Sequence, residues 1–463
     1  MICPDPWPGG EWHLYDIVDQ MYLASLSLLD ELASDPKAVL KRMAIKAKGQ
    51  IQRGEESEKQ AYIIPKAQHD VSALRELLLM MKAQCVEFFA AEEDFYLDGA
   101  KYEKGTIIVP LAQPNYALVE TMLGKNPYPY AKRDINPDGS IKVSDTANLS
   151  IALCMGIKVF PAMEKLDVKL SECEIPEINK EFPLSAKENA SFREVNNAFK
   201  EGKRIFRDEQ GDFYREAGEG RCEIKALRTG LLKKSATWNE EEGYTRNILK
   251  NYNFDFDIVM DKEIRENGVP EEFDVIIIPG DDVASLLSGD LPDPTRPIEH
   301  KSGLGAGGAK ALLEFVNKGG RLVVWEKSCK YAVDLFKMEL CDLTEGLTKT
   351  QFMTAGSQLA GRIENDSITL GMPNKFTLTH SDGPVYKITG IKHEVETIAW
   401  LADKDSVYVN GLVKGEEILG GTPAIMRAKF GLGEVLLYTF NPEFRFQQNG
   451  TYKLLFNALY EEK

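Results

Sequence analysis

The sequence has few histidines, five in all at positions 13, 69, 300, 380 and 393, and its seven cysteines contain no Cys-x-x-Cys spacing. Scattered thiols in odd number exclude a disulfide framework and a zinc ribbon. Basic residues are also outnumbered, 56 Lys and Arg against 72 Asp and Glu, for a net charge of −16. That balance excludes nucleic acid and an anionic membrane surface as partners, because both need clustered cations. Long apolar runs are missing as well: IALCMGIKVF (151–160) is half the length of a spanning helix and contains Lys158. The opening MICPDPWPGGEWHLYD has no basic region followed by an apolar stretch, so no signal peptide is visible. The expectation is a cytoplasmic protein if the chain is complete, and a periplasmic or secreted one if it is a piece of a larger precursor.

What is present suits a soluble globular protein of two to four domains: 463 residues, 43% hydrophobic and 28% charged. Residues 14–33 carry apolar side chains at helical spacing, and DPKAVLKRMAIKAKGQIQRG continues as a second, basic helix. An α/β rhythm begins near residue 60, with a hairpin signalled by Asp98-Gly99, and closes near 163. Residues 164–222 are charged and broken, with a second hairpin in KRIFRDEQGDFYRE. A second rhythm follows, in which FDVIIIPG and RLVVWE read as neighbouring parallel strands buried on both faces. The expected class is α/β. It comprises an N-terminal helical segment (1–58), a first α/β unit (59–165), a linker with a hairpin (166–222) and a second α/β unit with β-rich C-terminal additions (223–463). Both sheets are expected to be mainly parallel. Cys85 and Cys154 lie in apolar stretches and are expected in the core.

Three chemical signals fail on inspection. His393-Glu-Val-Glu396 has the His-x-x-Glu spacing of zinc carboxypeptidases, but no histidine follows it and an alternating segment sends its two ends to opposite faces. GLGAGG (303–308) satisfies G-x-G-x-x-G, but the proline-rich segment before it is no strand, so a Gly-rich loop before a helix is expected. No cofactor and no metal are expected in this chain.

The third signal is RLVVWEKSC (321–329). A class I glutamine amidotransferase places a nucleophilic Cys directly after such a strand, and a His-Pro-Glu segment near the C-terminus completes the triad. Here Glu326 and Lys327 occupy the elbow, Cys329 falls about three residues late, and YTFNPEF has Asn441 where the His would stand. Asn441 cannot take a proton from a thiol, so Glu443 has nothing to orient. Cys329 is expected to be an unreactive core or helix-face residue.

Several blocks carry a wider resemblance: PWPGGEWHLYDIVDQ, AYIIPKAQHD, GTIIVPLAQPNYALVETMLGKNPYPY, WNEEEGYTRNILKNYNFDFDIV and FNPEFRFQQNGTYKLLFNALY. Together they resemble the C-terminal, non-peptidase region of large bacterial carboxypeptidase A-like zinc metallopeptidases. The resemblance implies a second unit of class I amidotransferase-like, flavodoxin-like fold. It also implies that the zinc and the catalytic residues belong to a peptidase domain preceding these segments, so no catalytic residue carries over. Two functions follow as expectations. One is a non-catalytic accessory region working with a zinc carboxypeptidase domain in cis or in trans, serving packing, substrate access or binding of a peptide or glycan. The other is a stand-alone hydrolase or sugar- or peptide-binding enzyme at the carboxyl ends of the second sheet, where Gly280, Asp281, Asp282, Glu326, Lys327, Asn441, Glu443 and Arg445 would gather. The acids among them are expected as solvated loop charges or helix caps.

Overall fold

A computed structural model describes residues 11–125, 127–143, 150–235, 239–289, 302–390 and 395–462. The chain is α/β. Two helices open it, α1 (Leu14–Ser34) and α2 (Pro36–Glu55), broken at Asp35, whose carboxylate caps α2 by accepting from the Ala38 N–H at 2.9 Å. Pro36 at the first helical position suits that start. Among the described residues no helix is long and apolar enough to cross a membrane.

The first sheet has strands β1 (Ala61–Ile64), β2 (Phe89–Ala91), β3 (Ile107–Pro110), β4 (Phe160–Ala162) and β5 (Leu170–Glu172), in the order β4-β1-β3-β2-β5. Every neighbouring pair in it is antiparallel, which corrects the expectation of a parallel centre. The β1–helix–β2 crossover exists, through α3 (Val71–Ala83), and leaves β1 and β2 running the same way. β3 inserts between them, arriving from the hairpin Phe95–Leu97/Ala100–Tyr102. Asp98 (φ 49°) and Gly99 (φ 76°) make its turn, as their left-handed preferences require. Helix α4 (Tyr116–Leu123) follows β3.

Next, α5 (Asn189–Lys200) leads to the hairpin β6 (Ile205–Asp208) and β7 (Phe213–Tyr214) and on to β8 (Arg221–Ala226). The ten-stranded sheet then starts with β9 (Thr229–Lys233), α6 (Glu240–Asn251), β10 (Phe256–Met260), α7 (Asp261–Asn267), β11 (Val275–Ile278), α8 (Gly305–Asn317), β12 (Arg321–Trp325) and α9 (Ser328–Phe336). Strands β13 (Ser357–Ile363), β14 (Lys375–His380), β15 (Val395–Leu401), β16 (Pro423–Phe430) and β17 (Gly433–Tyr438) extend it. The spatial order is β10-β9-β11-β12-β17-β16-β15-β13-β14, with Tyr408–Asn410 beside β13.

From β10 to β17 all pairs are parallel, including β11 beside β12, as the runs VIII and RLVVW require. Beyond β17 all are antiparallel, so the second sheet is mixed rather than mainly parallel. Helix α10 (Tyr452–Asn457) and strand β18 (Tyr460–Glu462) close the chain's fold, β18 pairing with β8.

The glycines of 303–308 are not a flexible loop throughout: Gly305–Gly308 form the first turn of α8. A Cβ on Gly307 would sit 2.5 Å from the Arg265 carbonyl oxygen, so the glycine admits α7 against α8. Cys154 is buried as expected, whereas Cys85 is exposed, at φ 56° in the turn after α3.

Candidate functional site

In an open α/β sheet, ligands meet the carboxyl ends of the strands where the connections diverge to either side. Here that point lies between β9, which leads to β10 on one flank, and β11, on the other. The loop after β9 brings Lys234, and the loop after β11 brings Gly280, Asp281 and Asp282. Lys234 is buried and its ammonium bonds Asp281 at 2.6 Å. The Asp281 N–H donates to Ser328 Oγ at 2.9 Å, which itself donates to the Pro279 carbonyl, tying this loop to the start of α9. Asn239, the N-cap of α6, reaches Asp281 at 3.4 Å. Asp282 remains exposed, in a surface pair with Lys327 at 3.5 Å. Lys234 and Asn239 also line a cleft of about 590 Å³ along α6, with Glu240, Glu242, Tyr244 and Arg246.

At the end of β12 the chain makes a sharp elbow. Its pivot is Glu326, at φ 48°, a conformation that costs a non-glycine residue energy and that the fold must enforce. The Glu326 N–H donates to the Tyr438 carbonyl at 2.9 Å, and its own carbonyl accepts from the Cys329 N–H at 3.0 Å. The carboxyl group points inward, beside Gly280, where an added Cβ would lie 3.0 Å from Oε2. The loop through Asp382 and Gly383 lies over the elbow, held by Thr354, whose N–H donates to the Asp382 carboxylate at 3.0 Å.

Two further acids face Glu326. Glu443 is fully buried and accepts from the Thr245 hydroxyl, while its Oε2 has no partner among the described residues; Glu326 Oε1 is in the same state. Asn441 donates to Glu241 and accepts from the Glu443 N–H at 2.9 Å, bridging α6 to the segment after β17. Burial, and then the negative charge of Glu241, push Glu326 well above the usual carboxylate range. Burial, Glu241 and Glu326 do the same to Glu443. Burial raises Glu241 to about 7, against the stabilising contributions of Asn441 and Arg445. Burial thus shifts all three carboxyl groups toward the protonated form, and a protonated carboxyl can donate a hydrogen bond.

The sequence-derived residues thus divide. Asn441 bonds Glu241 and the Glu443 N–H, and Glu443 feels the charge of Glu326; Gly280 packs against Glu326; Arg445, half-buried at φ 53°, acts on Glu241. Asp281 is engaged by Lys234, and Asp282 and Lys327 stay at the surface. The expectation of solvated acids is corrected for Glu326 and Glu443, which the elbow and the segment after β17 turn inward. Sequence reasoning missed Glu241, Thr245 and Lys234; the run Asn239–Glu242 opening α6 was the available signal, since one of three consecutive acids on a helix must face the sheet.

Cys329 sits in the first turn of α9, fully buried, donating to the Tyr438 carbonyl at 3.1 Å. Burial, then Glu326, push its thiol well up. His380 is buried too, its Nδ1 2.8 Å from the Thr354 hydroxyl, and burial lowers it to about 4. His393 and Glu394 lie outside the described residues, as does His300; Glu396 pairs with Arg427 at 3.2 Å on β15 and β16. Among the described residues, no three His, Cys, Asp or Glu side chains are grouped to hold a metal ion.

No family model matches the sequence, and no curated protein does. Solved structures resemble the fold distantly. A putative ThuA-like protein from Bacteroides uniformis shares 14% identity at a TM-score of 0.32, over 53% of this chain and 93% of that one. A putative GMP synthase component from Thermoplasma acidophilum shares 8% at 0.31, over 50% and 94%. A β-galactosidase from Bacillus circulans sp. alkalophilus shares 16% at 0.29; the match spans half of this chain and 31% of that enzyme. Likeness at this level says nothing of activity.

Proposed function

We propose that this chain is a non-catalytic accessory region of a zinc carboxypeptidase system. Peptide hydrolysis belongs to a peptidase domain in cis or on a neighbouring chain. This region serves packing, substrate access or the binding of a peptide or glycan at the mouth of its parallel sheet. An amidotransferase-like, flavodoxin-like reading of that half is supported by its strand order, in which the second, first, third, fourth and fifth strands lie side by side.

The observation that carries the reading is the dismantled thiol site. A carboxyl group, Glu326, stands at the elbow; Cys329 is sealed beneath it; and Asn441, in the base position, is engaged by Glu241 and Glu443. A nucleophile needs a base within reach and an exposed, ionisable thiol. Among the described residues Asn441 stands in the base position, and the Cys329 thiol is buried and pushed well above its ordinary range.

Purified chain assayed on glutamine and on C-terminal peptide bonds tests this. Alone it should hydrolyse neither; added to a zinc carboxypeptidase domain of the resembled family, it should shift KM for peptides and leave kcat nearly unchanged. A second reading, a hydrolase working by acid–base catalysis through Glu326, Glu443 and Glu241, is favoured by the strained backbone at Glu326 and by the raised pKa values around it. Hydrolysis by the chain alone that Glu326→Gln abolishes would install it in place of the first.

A further inference from the structure

Helix α1 is out of keeping with the rest of the molecule. None of its 21 residues is buried, and every one except Asp16 is exposed. Yet Tyr22, Leu23, Leu26, Leu28 and Leu29 stand 44% or more open to solvent. An apolar surface of that extent on a soluble chain marks an interaction face. Helix α2 continues it with exposed Leu40, Met43 and Ile45. The far end of α2 is fixed to the body: Gly54 lies against the Leu111 carbonyl, the Arg53 guanidinium sits 5.2 Å over the Tyr116 ring, and Gln50 accepts from the Ala117 N–H. Among the described residues, these contacts hold the arm at that end of α2.

Its charge is segregated. Helix α1 carries Asp16, Asp19, Asp30 and Glu31 and no Lys or Arg. Helix α2 carries Lys37, Lys41, Arg42, Lys46, Lys48 and Arg53 against the single acid Glu55. The two helices also match in length, 21 and 20 residues, about 30 Å each. The arm is therefore complementary to an inverted copy of itself.

We propose that two copies of this chain pair through their arms, antiparallel, about a two-fold axis beside the Asp35–Pro36 junction. Each α1 then lies along the partner copy's α2. Residues equidistant from Pro36 face each other, which sets Asp30 opposite Arg42 and Glu31 opposite Lys41, while Leu26 and Leu29 meet the apolar side of the partner copy's α2. A parallel pairing would set α1 acids against acids, and it is disfavoured by like charge. An isologous contact of this kind closes on itself as a dimer.

Sedimentation equilibrium of the full chain is the test. The wild type should be dimeric at micromolar concentration, and more tightly so at low salt, where charge pairs are least screened. Leu26→Glu with Leu29→Glu should give a monomer with an unchanged thermal transition, because neither side chain belongs to the folded core. One variant reverses α1 (Asp30→Lys, Glu31→Lys) and another reverses α2 (Lys41→Glu, Arg42→Glu). Each should be monomeric alone, and the two mixed should form a heterodimer. A wild type that stays monomeric at every concentration overturns the proposal. So does a dimer indifferent to the leucine and charge variants, or a monomer that instead sediments with lipid vesicles through the same leucines.

Discussion

Asp70 and Glu443 are both acids sealed inside this protein, and their surroundings drive them in opposite directions. Asp70 caps α3 through the Ala73 N–H at 2.9 Å, accepts from Ser72 at 2.6 Å and from the Asn189 N–H at 3.0 Å, and meets the buried Lys453 ammonium at 2.9 Å. Burial raises its pKa, but Lys453 and these donors outweigh burial and hold it below the ordinary value. Glu443 has one hydroxyl donor, one backbone donor to its neighbour Asn441, and two other acids for company, so burial prevails. A buried acid with a full set of partners is a structural joint, here fastening the first sheet's helix to α10. A buried acid without them is shifted toward its protonated form.

The largest expected effect comes from breaking the joint. Lys453→Met leaves Asp70 charged and unpaired and should cost about 3–5 kcal/mol of stability in urea unfolding; adding Asp70→Asn should restore part of it. Next is Lys234→Met, which strands Asp281 at the mouth of the sheet. With Asp281 nearer solvent, the cost should be smaller, about 2–3 kcal/mol.

The acid cluster should respond in the opposite sense. The folded state binds more protons than the unfolded chain wherever a carboxyl pKa is raised. The stability that this gives is present below the unfolded value of 4.5 and is lost as pH climbs, for Glu241 across the interval from 4.5 to about 7. Glu443→Gln, which cannot ionise, should flatten that decline and gain on the order of 1–2 kcal/mol at pH 8. Asp70, depressed, supplies an acid limb instead: its contribution should disappear only as pH falls below the ordinary Asp range. Thermal melts from pH 3 to pH 9 on the wild type, Glu443→Gln and Lys453→Met separate the two limbs. The smallest effect is at Cys329: iodoacetamide should label it far more slowly than exposed Cys341 in the folded chain and equally fast after unfolding. Rapid labelling of the native Cys329 would falsify the sealed-thiol description.

Much of the second sheet was legible because its information is local. The run VIII suited a strand covered on both faces, and RLVVW followed by Glu-Lys-Ser read as a strand running into a sharp turn. What was not legible depends on distant partners. Nothing within AYIIP or FAAE says that β3 will slide between them, since adjacency in a sheet is settled by the whole domain. Likewise Asp281 and Asp282 are chemically identical neighbours in the sequence. One turns to Lys234, far upstream of it, and the other to solvent. Glu326 looked like a surface charge because acids usually are. Only its left-handed backbone, imposed by the strand-to-helix turn, carries the carboxyl group inside.

The placement of α10 and β18 bears on how the protein is made. Phe456 and Tyr460 pack on Phe192, and β18 completes the edge of the sheet that holds β8. A ribosome adding about 5–20 residues per second needs roughly 13–50 s to travel between those partners. During that interval β8 is paired with β6 along one edge only, and the α5 side chain Phe192 has Phe213 but not Phe456 or Tyr460 against it. Helper proteins that shield such surfaces would find their clients among unfinished chains of this kind.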